Sequence, residues 1–127
     1  MQLSQNFTLA EFTRSATAAR LGIDNTPSDT VIVNLVNLCH RVLQPLRSHA
    51  GIPLRITSGY RSTALNVAVG GAPRSRHITG EAADIHVPTL AIGRDWCTFI
   101  RHSCRYDELI LEQRPDGAMW IHVALKR

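Results

Sequence analysis

The chain has 127 residues, 44% of them apolar and 19% charged, which excludes a disordered segment and suffices for a buried core without disulfides or a structural metal. Its formal charge is +4, and every basic side chain except Lys126 is an arginine. An arginine-rich surface favours anionic partners, but the charges are scattered, with no basic run and no interleaved aromatics, which argues against a nucleic-acid surface.

The opening residues, MQLSQNFTLAEFTRSATAAR, contain no continuous apolar region and carry Glu11 early. No secretory signal is expected, and no stretch approaches the ~20 apolar residues of a membrane span. The expectation is a soluble protein made in the cytosol. Thr8 with Glu11 three residues later reads as a capping box opening a short helix that Gly22 stops. IDNTPSD is a turn-rich connector. From Ser28 or Asp29 a long amphipathic helix follows, with Ile32, Leu35, Val36, Cys39, Val42, Leu43 and Leu46 at helical spacing. Pro45 is expected to kink or shorten its last turn, and Gly51 to end it.

LRITSGYRS reads as a short strand entering a loop. TALNVAVGGAPRSRHITG reads as loop-rich, with Gly70, Gly71 and Pro73 as breakers. EAADIHV returns to a strand closed by Pro88, and TLAIGRDWCTFIRHSC is a helix with Ile92, Trp96, Phe99 and Ile100 inward. The chain ends in a predicted hairpin: YDELILEQ, a turn at RPDGA, then MWIHVALKR. Cys39, Cys97 and Cys104 contain no CxxC and make no disulfide framework. The last two, seven apart, are expected on one helix face as small buried residues. With no repeat, low-complexity tract or linker, the expectation is one domain over residues 1–127. Its class is α+β, with helices packed on a small, mostly antiparallel sheet.

Residues 75–86, SRHITGEAADIH, concentrate two histidines, a glutamate and an aspartate. His77 precedes Asp84 by seven residues, and His122 follows on a predicted strand. Two imidazoles and a carboxylate suit zinc, and three protein ligands leave the open position typical of a catalytic site. Gly80, Ala82 and Ala83 are small enough for backbone to close around an ion. Alternation along WIHVAL puts His122 on one face with Trp120 and Ala124, and Ile121, Val123 and Leu125 on the other. Spacing alone leaves a second reading open, in which His122 is a hydrogen-bonded structural histidine.

The motifs SGYRS, SRHITGEAADI and the WIH strand, in that order across residues 56–125, resemble the zinc D-alanyl-D-alanine carboxypeptidase superfamily. That group includes D,D-dipeptidases, phage L-alanyl-D-glutamate endolysins and the zinc fold of the hedgehog signalling domain. The segment NFTLAEFTRS…IDNTP is similar to the lead-in of small phage and prophage members. The resemblance implies that His77, Asp84 and His122 hold Zn2+. It also implies that Arg61 faces the substrate carbonyl or carboxylate, and that Tyr60, Ser75 and Asn66 contact substrate or brace the site loop. Carboxypeptidase-type members carry an acid three positions before the last ligand, where this chain has Met119. Hedgehog-like and small phage members place a glutamate on the preceding strand, which Glu112 matches, with Asp116 in the turn as the alternative base. Glu81 is expected to point to solvent and His86 to support the ligands from behind. Trp120 stands where some relatives have a histidine.

The implied activity is zinc-assisted hydrolysis of peptidoglycan stem peptides, at L-Ala–D-Glu or at a D-Ala bond. The implied setting is a monomeric phage-type lysis enzyme or a virion component, acting on the wall without nucleic acid or stable membrane association. The alternative is a zinc-containing wall-binding module that has lost catalysis, which the missing acid at position 119 favours.

Overall fold

The computed structural model describes residues 1–127. Two short strands, β1 (Gln2–Ser4) and β2 (Phe7–Thr8), pair antiparallel at the N-terminus. They lead into α1 (Leu9–Thr13), whose capping box forms: the Glu11 carboxylate accepts from the Thr8 backbone N–H at 2.7 Å and from its hydroxyl at 3.0 Å. The single helix expected up to Gly22 is instead two. The chain turns extended at Arg14 and restarts as α2 (Ala16–Leu21), where the Ser15 side chain accepts from the Ala18 N–H. A serine that can cap competes with helix continuation, and here the cap wins.

The long amphipathic helix runs from α3 (Asp29–Leu38) through α4 (Gln44–Ala50), joined by one π-helical turn over Cys39–Leu43. Pro45 lacks an N–H and its ring crowds the carbonyl four residues back. The wide turn inserts a residue just ahead of it, so the helix absorbs the proline and continues to Gly51 rather than ending early.

Four antiparallel strands form the main sheet in the order β3 (Ile56–Ser58), β4 (Ala82–His86), β6 (Met119–Leu125), β5 (Tyr106–Gln113). The predicted hairpin is β5–β6, closed by Gly117 N–H to Arg114 O and Arg114 N–H to Ala118 O. The α+β expectation with a mostly antiparallel sheet therefore holds. Between β3 and β4 the segment expected to be loop-rich contains α5 (Thr63–Ala68), capped by the Ser62 hydroxyl. Six residues are too few for a readable 3.6-residue period.

Alternation divides the sheet. Ile56, Ala83, Ile85, Ile121, Val123 and Leu125 are buried in the main core with Leu35, Leu38, Val42 and Leu46 of the long helix. The helix α6 (Leu90–Ser103) adds Trp96, Cys97 and Ile100 to that core. Cys104 lies just past the end of α6 and is half-buried, so it does not share a helix face with Cys97; all three thiols are free. No helix is long and apolar enough to cross a membrane. The opposite face of the sheet is left for polar side chains.

Candidate metal centre

Strand register sets three rows of side chains across that polar face. The middle row carries Asp84, His122 and Ile110 on β4, β6 and β5; the rows either side carry Ala82, Ala124 and Glu108, and His86, Trp120 and Glu112. Asp84 and His122 are direct cross-strand partners, so their side chains meet without long reach. Glu108 and Glu112 sit diagonally on either side of His122, at the ~7–8 Å spacing that long side chains span.

His77 comes from the loop between α5 and β4, and backbone contacts fix it. Its Nδ1 lies 2.6 Å from the Gly59 carbonyl, its carbonyl accepts from the Arg61 N–H at 3.1 Å, and its N–H donates to the Ser75 hydroxyl at 3.2 Å. Gly59 is itself pressed against α1. A Cβ there would stand 2.6 Å from the Phe12 Cα, and Tyr60 N–H donates to Phe12 O. Gly80, at φ +77, lets the loop's end lie on α3, where a Cβ would meet the Val31 carbonyl at 2.8 Å.

These contacts decide which ring atoms are free. A carbonyl only accepts, so His77 Nδ1 carries a proton, and Nε2, which faces Asp84, is the ring nitrogen turned toward the other two ligand candidates. The Glu108 carboxylate accepts from His122 Nε2–H at 2.8 Å, leaving Nδ1 available. Asp84 Oδ1 lies 3.2 Å from His77 Nε2 and 2.9 Å from His122 Nδ1. One ligand atom from each residue falls within 4.8 Å of the others. Tetrahedral bonds of ~2.0–2.1 Å separate donor atoms by roughly 3.3 Å, so this N, N, O set fits zinc with a position left open. The three residues singled out by sequence converge and could hold the ion.

Burial alone would raise the Asp84 carboxyl, but hydrogen bonds to His122 and His77 outweigh it and hold the group well below the usual carboxylate range. The same contact raises His122 above its ordinary value; burial opposes that rise and Glu108 adds to it. Without metal, the site keeps an ionised carboxylate between two imidazoles.

Arg61 forms the next layer. Its Nη2 stands 3.9 Å from Asp84 Oδ2, its Nη1 donates to Asn66 Oδ1 at 2.9 Å, and its Nε donates to the Ser58 hydroxyl at 3.2 Å. Asn66 is buried and donates to Ala72 O at 2.9 Å. Gly71 makes room for this arrangement: a Cβ there would collide with Asn66 Oδ1 and approach Arg61 Nη1 to 2.6 Å. Asn66 thus braces the site loop and Arg61 together.

The donors lie in an open cleft of about 1200 Å³ whose lining includes Tyr60, Arg61, Ser75, Glu112 and Trp120. Ser75 also caps the His77 N–H, while Tyr60 packs partly against the core. Asp116 does not line the cleft; it accepts from Ala118 N–H and pairs with Arg114 at 3.7 Å.

Two expectations are corrected. Glu81 does not point to solvent: it is largely buried and bonded to Thr79, Arg76 and Arg127, clamping the site loop to the C-terminus. Burial would raise its carboxyl, but hydrogen bonds from Arg127 and Thr79 and the charges of Arg76 and Arg127 bring it to about 2. His86 faces Trp120 across the sheet and makes no side-chain hydrogen bond to a ligand residue.

Two residues were missed. Glu108 was readable from the alternation that singled out Glu112, four residues on. Asn25 ties Thr13 O, Tyr60 O and Ser62 N–H together, and only its turn-rich context hinted at a role.

The family described as Peptidase M15 matches residues 5–124 of the chain. No curated protein matches it.

Proposed function

The chain belongs to the Peptidase M15 family, and from that premise we propose that it is a zinc metallopeptidase hydrolysing stem peptides of peptidoglycan. The observation that carries the proposal is the convergence of His77 Nε2, Asp84 Oδ1 and His122 Nδ1 in a cleft that Arg61 and Glu112 also line. At about 1200 Å³ the cleft exceeds the ~300–1,000 Å³ of small-molecule pockets and suits an extended peptide.

Zinc held by these three side chains supplies a Lewis acid toward water and the scissile carbonyl. Glu112 takes the proton of the attacking water and delivers it to the leaving amine as the C–N bond breaks. Arg61, its guanidinium held by Asn66 and Ser58, pairs with the oxygen that gains negative charge or with a substrate carboxylate. Glu112 is favoured over Asp116 because it projects from a strand beside His122, whereas Asp116 is engaged in its own turn. Lining residues reach from Arg14–Thr17 at the α1–α2 junction to Arg114 past the end of β5, which supports cleavage within a peptide, as an L-Ala–D-Glu endopeptidase, over removal of a terminal residue. Phage-type wall lysis belongs to the same proposal and rests on the resemblance to small phage members.

The test is digestion of purified peptidoglycan by zinc-loaded protein, with the released fragments identified by mass spectrometry. New L-Ala and D-Glu termini are expected, and Glu112→Gln is expected to retain zinc while losing ~10² or more in turnover. Stoichiometric zinc with no bond cut would replace the peptidase by a wall-binding module; near-normal turnover in Glu112→Gln would move the base elsewhere.

A further inference from the structure

The charged side chains lining the cleft are unbalanced. Apart from Asp84, placed among the ligands, and Glu112, placed as the base, every ionised lining residue is an arginine: Arg14, Arg55, Arg61 and Arg114. Arg61 is engaged by Asn66, Ser58 and Asp84. Arg14 and Arg55 are exposed and their guanidinium groups have no partner in the protein. Arg114 has only the exposed 3.7 Å pair with Asp116 and lies over the Trp120 ring at 5.6 Å, a contact that salt and water weaken readily.

Two of these arginines are placed by the sheet itself. Ile56 points into the core, so Arg55 beside it points to the polar face, and the Arg55 carbonyl accepts from the His86 N–H. His86 begins the row that continues through Trp120 to Glu112, and Arg114 follows just beyond the end of β5. Arg55 and Arg114 therefore stand at the two outer strands, on either side of Trp120 and Glu112. A peptide crossing that row meets a guanidinium at each edge.

Resting on the peptidase reading above, we propose that Arg55 and Arg114 are specificity residues that hold free carboxylates of the substrate, so that the enzyme selects an anionic stem peptide over its amidated form. A guanidinium pairs with a carboxylate through two charge-assisted hydrogen bonds, whereas an amide offers one neutral acceptor. An unpaired Arg55 and an Arg114 held only by its exposed 3.7 Å pair with Asp116, with no acid between them except the base, favour the ionised ligand.

The experiment compares two synthetic stem peptides that differ only in whether their carboxylates are free or amidated. Hydrolysis by zinc-loaded protein is measured alongside binding to metal-free protein, followed by tryptophan fluorescence. The free-acid peptide is expected to show about a tenfold higher kcat/KM and tighter binding, mainly through KM, with the advantage shrinking as salt is raised. In Arg55→Gln/Arg114→Gln, with zinc content unchanged, the preference is expected to fall to near parity. Equal handling of both peptides by the wild type, or an undiminished preference in the double variant, overturns the proposal and leaves the peptidase reading intact. Cleavage of neither peptide, with the free acid still bound in preference, overturns the peptidase reading and supports the anion selectivity.

Discussion

At the scale of single residues, the geometry of the candidate centre is shaped by positions outside the His77, Asp84 and His122 set. Gly71 is one: its missing Cβ leaves the space that Asn66 and the Arg61 guanidinium occupy. Gly71→Ala is expected to displace Arg61 by a fraction of an ångström or more and to lower kcat/KM by ~10–10². Zinc content should stay unchanged, because none of the three ligand side chains contacts Gly71; steady-state kinetics with metal analysis checks both halves. Glu108 is the other. By holding His122 Nε2–H it fixes the tautomer that presents Nδ1. Glu108→Ala is expected to weaken zinc retention ~10–100-fold against a competing chelator. Glu108→Gln, which keeps an acceptor oxygen, should lose less; equal losses would reduce the contact to packing.

At the scale of elements, the ligand loop is held from both ends. Gly59 and Gly80 seat it on α1 and α3, and the Glu81 clamp ties it to Arg76 and Arg127. The Glu81 carboxyl is depressed from 4.5 to about 2 in the folded chain. A depressed carboxyl contributes stability that is fully present above the unfolded value and lost as pH falls toward the folded one. Discounted for the exposure of Arg127, that contribution is ~1–3 kcal/mol. Glu81→Gln is expected to lower Tm at neutral pH and to flatten the acid side of the stability curve between about 4.5 and 2. Thermal melts across that range check it; parallel curves for both proteins would remove the clamp's role.

The sequence was a good guide to elements with a long or repeated signal. The hairpin, β4, α6 and the extent of the long helix follow from period and stop residues, and the faces of β6 from simple alternation. Among short elements, the strand β3 was readable, but the breaks and short helices were not. The six residues of α5 show no period, and Gly70 with Gly71 behind them suggested a loop-rich segment. The split between α1 and α2 turned on whether Ser15 would cap or be carried through, which propensity does not decide. For the site, motif order pointed to His77, Asp84 and His122, which converge. Glu108 and Glu81 needed the register and the C-terminal tail in three dimensions, since their partners lie 14 and 46 residues away.

Over the whole molecule, the sheet separates stability from chemistry. The core is on one face with the long helix and α6, and the candidate metal ligands are on the other, with His77 brought over by its loop. Removing the metal should therefore leave a folded protein. Protons compete with the ion: His122, raised by its bond to Asp84, must lose its proton for Nδ1 to bind. Apparent zinc affinity is expected to fall as pH drops through that raised value and to level off above it. In the metal-free protein the same shift adds stability below the unfolded histidine value, which is lost as pH rises through the folded one.

If His77, Asp84 and His122 hold the ion on which peptidase activity depends, that dependence is measured by stripping the protein with chelator, titrating zinc back, and following amino groups released from peptidoglycan. Release should be absent from the stripped protein and rise with zinc until the site is filled, while His122→Ala stays folded by circular dichroism and never recovers. Release by the stripped protein, or full activity in His122→Ala, would contradict it.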